Sequence, residues 1–184
     1  MSVGAACRLE YAVNGKGELQ VRMDYRPLKD GLQLIPKVGM RMRIPAEYSQ
    51  VSWYGRGPHE NYPDRKSGYF IGQYSMPLDE FIFDYASPQD NANRCDTRWF
   101  SLGNGSRDIE IHGLQELNFR AWPYGEEDLE GSAHPFDIPA RDFINVNIDF
   151  KIHGVGGNDG WGARTMDAYT IDPAQPYSFG FIIR

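Results

Sequence analysis

Apolar and polar residues alternate along much of the chain. In Leu19-Gln-Val21-Arg-Met23-Asp-Tyr25 the apolar side chains fall on one face of an extended strand and the polar ones on the other. Asn14-Gly15-Lys16-Gly17 just before it supplies a turn, so a hairpin is expected there. The same period of two runs through Val38 to Ile44, Leu117 to Ala121, Ile144 to Ile152 and Tyr177 to Phe181. Each run has one apolar face for a core and one polar face for solvent or a ligand, a pattern typical of antiparallel sheets. Two stacked sheets follow, with 20 Gly and 12 Pro supplying turns and about ten to twelve strands in all. One short helix is expected over Glu126 to Ala133, where Glu126, Glu127 and Asp128 suit a helix N-terminus and the segment crosses a sheet edge. No repeat, low-complexity tract or linker interrupts the pattern, which predicts a single domain over residues 1–184.

Composition agrees with a packed fold. With 184 residues, 41% hydrophobic and 14% aromatic, such a chain can bury roughly 70% of its extended surface without disulfides or a structural metal. Nineteen Lys and Arg stand against 25 Asp and Glu, a net charge of -6, so a phosphate backbone is repelled and nucleic acid is not an expected partner. Two cysteines, Cys7 and Cys95, are too few for a disulfide framework or a structural zinc. They read as free thiols, with a single bridge between them left open. No apolar run approaches the ~20 residues that span a bilayer, and the first residues lack the basic and apolar regions of a signal peptide. The expectation is a soluble chain without a membrane partner, with the cytoplasm placed ahead of the periplasm.

Two segments are dense in functional groups. Trp53-Tyr-Gly-Arg-Gly57-Pro58-His59-Glu60-Asn61-Tyr-Pro-Asp64-Arg65-Lys66 follows a short strand, and its Gly and Pro shape a defined turn. His59, Glu60, Asn61, Asp64 and Arg65 offer donors and acceptors suited to sugar hydroxyls, although prolines flanking a charged pair favour Asp64 and Arg65 as braces of the turn. The second segment, Gly154-Val-Gly156-Gly157-Asn158-Asp159-Gly160-Trp161-Gly162, nearly spells a dinucleotide fingerprint. Asp159 stands where the third glycine belongs and the continuation is a poor helix start, so a nucleotide site is rejected. Trp161 offers a flat apolar face for the C–H side of a sugar ring, with Asn158 and Asp159 able to bond its hydroxyls. A plain core plug is the competing reading of Trp161.

The remaining candidates are weaker. His59, His112, His134 and His153 lack the spacing of a metal site, so neither a metal nor a cofactor is expected. His112 and His153 read as satisfied surface histidines, and Trp53, Trp99 and Trp122 as core. Asn104-Gly105-Ser106 matches a glycosylation acceptor but reads better as a hairpin turn. The chain has no G-x-S-x-G elbow, and neither cysteine has a recognisable catalytic context. No catalytic residue is assigned.

Three motifs in order, Trp53 to Lys66, Pro88-Gln-Asp-Asn-Ala-Asn-Arg94 with Asp96-Thr-Arg-Trp99, and Gly154 to Gly162, resemble the C-terminal domain (domain 5, small-chain type) of family 2 β-galactosidases. The similarity runs from about Gly31 to the end. It implies an antiparallel all-β supersandwich of the galactose-mutarotase-like type, the last domain of a glycosidase whose two catalytic glutamates lie in a separate TIM-barrel domain. By the same resemblance Trp161 matches a tryptophan that stacks on substrate sugar. The loop Gly57 to Arg65 matches a mobile loop at the site mouth, with Glu60 in the place of that loop's glutamate. The partners implied are a galactoside, the catalytic barrel and, through exposed sheet edges, a second copy of the chain. Two departures stand out: the chain looks truncated at its N-terminal side, and Asn158 and Gly160 replace an acid and a serine. A free-standing carbohydrate-binding module and an aldose epimerase are the other readings, the latter needing a histidine and a carboxylate converging in a groove.

Overall fold

The computed structural model describes residues 4–159 and 161–184. Nine strands form it, all paired antiparallel: β1 Ala5–Val13, β2 Leu19–Pro27, β3 Lys37–Pro45, β4 Gln50–Gly57, β5 Phe70–Pro77, β6 Arg94–Gly103, β7 Asp108–Trp122, β8 Phe143–Ile152 and β9 Tyr177–Ile183. Two short helices, α1 Leu78–Phe81 and α2 Glu126–Gly131, sit between them. The predicted hairpin at Asn14–Gly17 joins β1 to β2, with Leu19 paired to Val13. Asn104–Ser106 is the turn between β6 and β7, with Gly105 at φ +83° where a side chain is disfavoured.

The strand count is nine among the described residues rather than ten to twelve, and the ladder is continuous rather than split into two sheets. The order is β1-β2-β9-β7-β6-β4-β5, with β3-β8 branching from β7. The physical reason lies in β7, which is 15 residues long. One edge pairs with β6, while the other pairs with β9 over Ile111–Gly113 and then with β8 over Asn118–Trp122. Between these stretches β7 bulges, since Thr97 opposes Leu117 but Trp99 opposes His112. At the fork the Gln115 side-chain amide donates to the Gly180 carbonyl (3.1 Å) and its oxygen accepts the Gly180 N–H (3.2 Å), replacing a ladder rung where β9 departs.

The fork delivers the sandwich that alternation predicts. Inward residues of all branches, among them Val21, Ile44, Trp53, Phe100, Phe119, Val146 and Phe181, join one apolar cluster. Across the fork Phe150 of β8 stacks on Phe179 of β9 with ring centres 5.9 Å apart.

One feature of β8 departs from expectation. Its polar face was assigned to solvent or ligand, yet Asn145, Asn147 and Asp149 are buried as deeply as the apolar face. Helix α2 lies over part of this face, where Glu126 accepts from the Asn147 amide (2.9 Å).

Candidate functional site

The loop after β4 (57–66) and the segment after β8 (153–171) meet. The Asp64 carboxylate accepts the Gly156 N–H at 2.7 Å. A Cβ on Gly154 would lie 2.7 Å from that carboxyl, so glycine leaves room there for the Asp64 side chain. Thr165 donates to the Gly154 carbonyl (3.0 Å) and Gly154 N–H to the Tyr169 carbonyl (2.8 Å), holding the base of the second loop. Asp64 is therefore a latch between the two loops.

At the tip, Asp159 Oδ1 accepts the backbone N–H groups of Trp161 (2.9 Å) and Ala163 (3.1 Å). These two donors hold the Asp159 carboxyl below its ordinary range. They also turn the tip so that Trp161 stands in solvent at 93% exposure, which removes the core-plug reading. Asn158 is exposed beside it. Gly160 lies outside the described residues.

The first loop is stapled at its base. Asp96, at φ +52°, accepts from Arg56 Nε (2.5 Å) and Lys66 Nζ (2.6 Å), and Arg56 also donates to the Tyr69 carbonyl (2.6 Å). Burial pushes the Asp96 carboxyl up, but the two cations outweigh it and hold it below its usual range.

Glu60 is mostly buried and accepts from Arg65 (2.6 Å), from the Tyr85 hydroxyl and from the Ala92 N–H (2.7 Å). Asn61 is fully buried, its amide donating to the His59 carbonyl (3.0 Å) and its oxygen accepting the Cys95 N–H (2.8 Å). Both of its polar ends are engaged by protein, so Asn61 is corrected from a sugar contact to a brace. Arg65 and Asp64 are the braces that the prolines indicated. His59 is exposed and lines a cleft of about 390 Å³ with Glu60, Arg65, Tyr69 and Tyr85.

Arg94 at the back of that cleft was missed as a functional group. It is 1% exposed, and it donates to the carbonyls of Ala92 (3.0 Å) and Phe81 (3.3 Å). Its guanidinium lies over the rings of Phe81 (4.1 Å) and Trp53 (5.1 Å). Burial pulls it down to about 9, the nearby Glu60 charge opposing. No local signal marks it, since Arg94-Cys-Asp-Thr-Arg shows no alternation and its partners are 13 and 41 residues away (Arg94 minus Phe81; Arg94 minus Trp53).

His112 pairs with Glu110 (2.9 Å) and stacks on the partly buried Trp99, while His153 contacts the Gly154 carbonyl (2.6 Å). Trp53 and Trp122 are core. No helix among the described residues is long and apolar enough to cross a membrane.

The outward indole of Trp161 thus stands on a loop of the sandwich that Asp64 latches to a second, ion-paired loop. The match to known proteins is specific. The β-galactosidase small-chain family matches residues 1–183, and the chain belongs to that family. The similarity thus begins well before Gly31. The chain is 34% identical over 181 residues to a β-galactosidase of Priestia megaterium, covering 98% of this chain and 17% of that protein. It is 33% identical to one of Halalkalibacterium halodurans (96% of this chain, 18% of that protein) and 34% to one of Vibrio cholerae (92% and 16%). The chain therefore spans less than a fifth of the relatives it matches.

Proposed function

We propose that this chain is the C-terminal-type domain of a family 2 β-galactosidase, a galactose-mutarotase-like supersandwich that lends the active site its rim. In this reading the larger enzyme hydrolyses a terminal β-galactoside with retention. One glutamate attacks the anomeric carbon and a second protonates the leaving oxygen, both from a TIM-barrel domain. Trp161 stacks on substrate sugar, and Asn158 and His59 face its hydroxyls. Glu60 acts indirectly, fixing the Pro58–Arg65 turn through Arg65, Tyr85 and the Ala92 amide.

The observation that carries the reading is the indole of Trp161 standing in solvent on a loop latched to that turn by Asp64. An indole so placed offers its flat apolar face to the C–H side of a sugar ring. The test is Trp161→Ala in the full enzyme. Losing one aromatic–sugar stack removes about 1.4 kcal/mol, or about tenfold, from substrate binding, so KM rises with the fold intact. Unchanged kcat and KM would take Trp161 out of the site.

The same exposed indole favours a second reading, a carbohydrate-binding module active as the isolated chain. Titration calorimetry with galactose and lactose separates the two, because the rim reading expects weak or no binding without the barrel. A polarimetric mutarotation assay without activity would dismiss the epimerase reading.

A further inference from the structure

The branch formed by β3, β8 and β7 carries a polar face whose rows are set by register. Arg41 opposes Asn147, which opposes Arg120; Arg43 opposes Asn145, which opposes Trp122; Gly39 opposes Asp149, which opposes Asn118. A sheet face of this kind is ordinarily left to water. Here α2 roofs part of it, with Glu126 receiving Lys37, Arg120 (3.1 Å) and Asn147 (2.9 Å). Arg120 also pairs with Asp90 on the segment before β6. The roof is incomplete. Beside it opens a cleft of about 290 Å³ walled by Lys37, Asp90, Arg120, Trp122, Glu126 and Glu130.

We propose that this cleft binds a single neutral polyhydroxylated ring, an aldose, at a site separate from the Trp161 loop and independent of the function proposed above. None of its lining residues belongs to the 57–66 or 153–171 loops.

Charge argues for a neutral ligand. Three carboxylates (Asp90, Glu126, Glu130) repel an anion, while the two cations (Lys37, Arg120) are already paired and oppose a third. Vicinal hydroxyls use both kinds of group, donating to the carboxylates and accepting from the ammonium and guanidinium. Trp122, Leu129, Pro36 and Pro88 furnish the apolar wall that the C–H face of a ring requires.

An unsatisfied polar group argues for a ligand. Arg120 is 2% exposed, lines the cleft, and has a buried Nε–H without a partner. Buried groups of this kind are rare in finished structures and call for an occupant. Size argues for one ring, because the volume lies at the lower end of ligand sites, roughly 300–1,000 Å³.

The tryptophan indoles provide separate reporters. The Trp122 Nε1–H, bonded to the Asn91 carbonyl (3.2 Å), reads the cleft, and the exposed Trp161 indole reads the loop. In an NMR titration of the isotope-labelled chain with galactose, the Trp122 indole should shift saturably with a midpoint of about 1–10 mM. Gln89→Trp fills the mouth from an exposed position outside the ion-pair network. It should abolish the Trp122 shift while leaving the remaining spectrum that of the folded chain. A Trp122 resonance unmoved by galactose would overturn the proposal, as would an equal shift in Gln89→Trp, or a larger response to acetate or ammonium than to sugar. A water-filled cleft gives the first of these results. Failure of the Trp161 role leaves this readout untouched, because it concerns a different indole.

Discussion

Asp149→Asn tests the buried polar layer most directly. Asp149 is 1% exposed and neither carboxylate oxygen has a hydrogen-bond partner. It lies under Gly39, where a Cβ would come within 1.8 Å of its Oδ1. Burial pushes its carboxyl from 3.8 up to about 7, with Arg120 and Lys37 opposing and Asp90 and Glu126 assisting. Between pH 3.8 and about 7 the folded chain holds a proton that the unfolded chain releases. The unfolded state thus binds fewer protons, and stability falls as pH rises across that window. The penalty is absent below the window and complete above it. A displacement of about three pH units corresponds to about 4 kcal/mol at its ceiling. Asparagine keeps the shape and leaves polar atoms in the same place, so it removes chiefly the charge. Urea unfolding at pH 5 and pH 8 should show Asp149→Asn gaining about 2–4 kcal/mol over the parent at pH 8 and about 1–2 kcal/mol less than that gain at pH 5. Carboxylates remote from Asp149 titrate alike in both proteins and cancel in the difference. A variant that is less stable than the parent at pH 8, or whose difference is the same at both pH values, would refute the argument.

Three further outcomes follow from the site. Glu60→Ala strands the Ala92 N–H and should lower unfolding free energy by about 1–3 kcal/mol; a change below about 0.5 kcal/mol in thermal or urea unfolding removes its bracing role. Asp64→Ala should speed hydrogen exchange of the Gly156 amide at least about tenfold while core amides stay protected, and an unchanged Gly156 rate would refute the latch. Cys7 is exposed and Cys95 buried, with burial pushing the Cys95 thiol up to about 12. A thiol reagent should therefore modify one cysteine in the native chain and the second only after denaturation, and native labelling of both at equal rates would contradict the burial.

What the sequence revealed depended on whether a strand buries one face or two. β2, β3 and β9 carry clean alternation and were legible. β6 is buried on both faces over much of its length, including Arg94, Cys95 and Thr97, so no period of two marks it. β8 alternates, but its polar face is buried, in part under α2, and nothing local distinguishes an asparagine facing water from one facing a helix. The density of donors in 57–66 located the loop correctly. It could not separate the exposed His59 from the buried Asn61, because Asn61 is fixed by Cys95, 34 residues on. The indole of Trp161 was undecided in sequence for the same reason, since its orientation follows from the two backbone bonds made by Asp159.

The place of β9 bears on how the chain assembles. Among the described residues the β1–β2 hairpin joins the sheet only through β9, where Leu19 pairs with Ile183, and Ile183 in turn pairs with Ile111. Until Tyr177–Ile183 has left the ribosome, the hairpin made some 150 residues earlier (Tyr177 minus Tyr25) has no strand to pair with on the free side of β2. Synthesis at about 5–20 residues per second leaves that side uncovered for about ten to thirty seconds. Such a pairing across distant segments closes slowly, which places the docking of the hairpin late in folding.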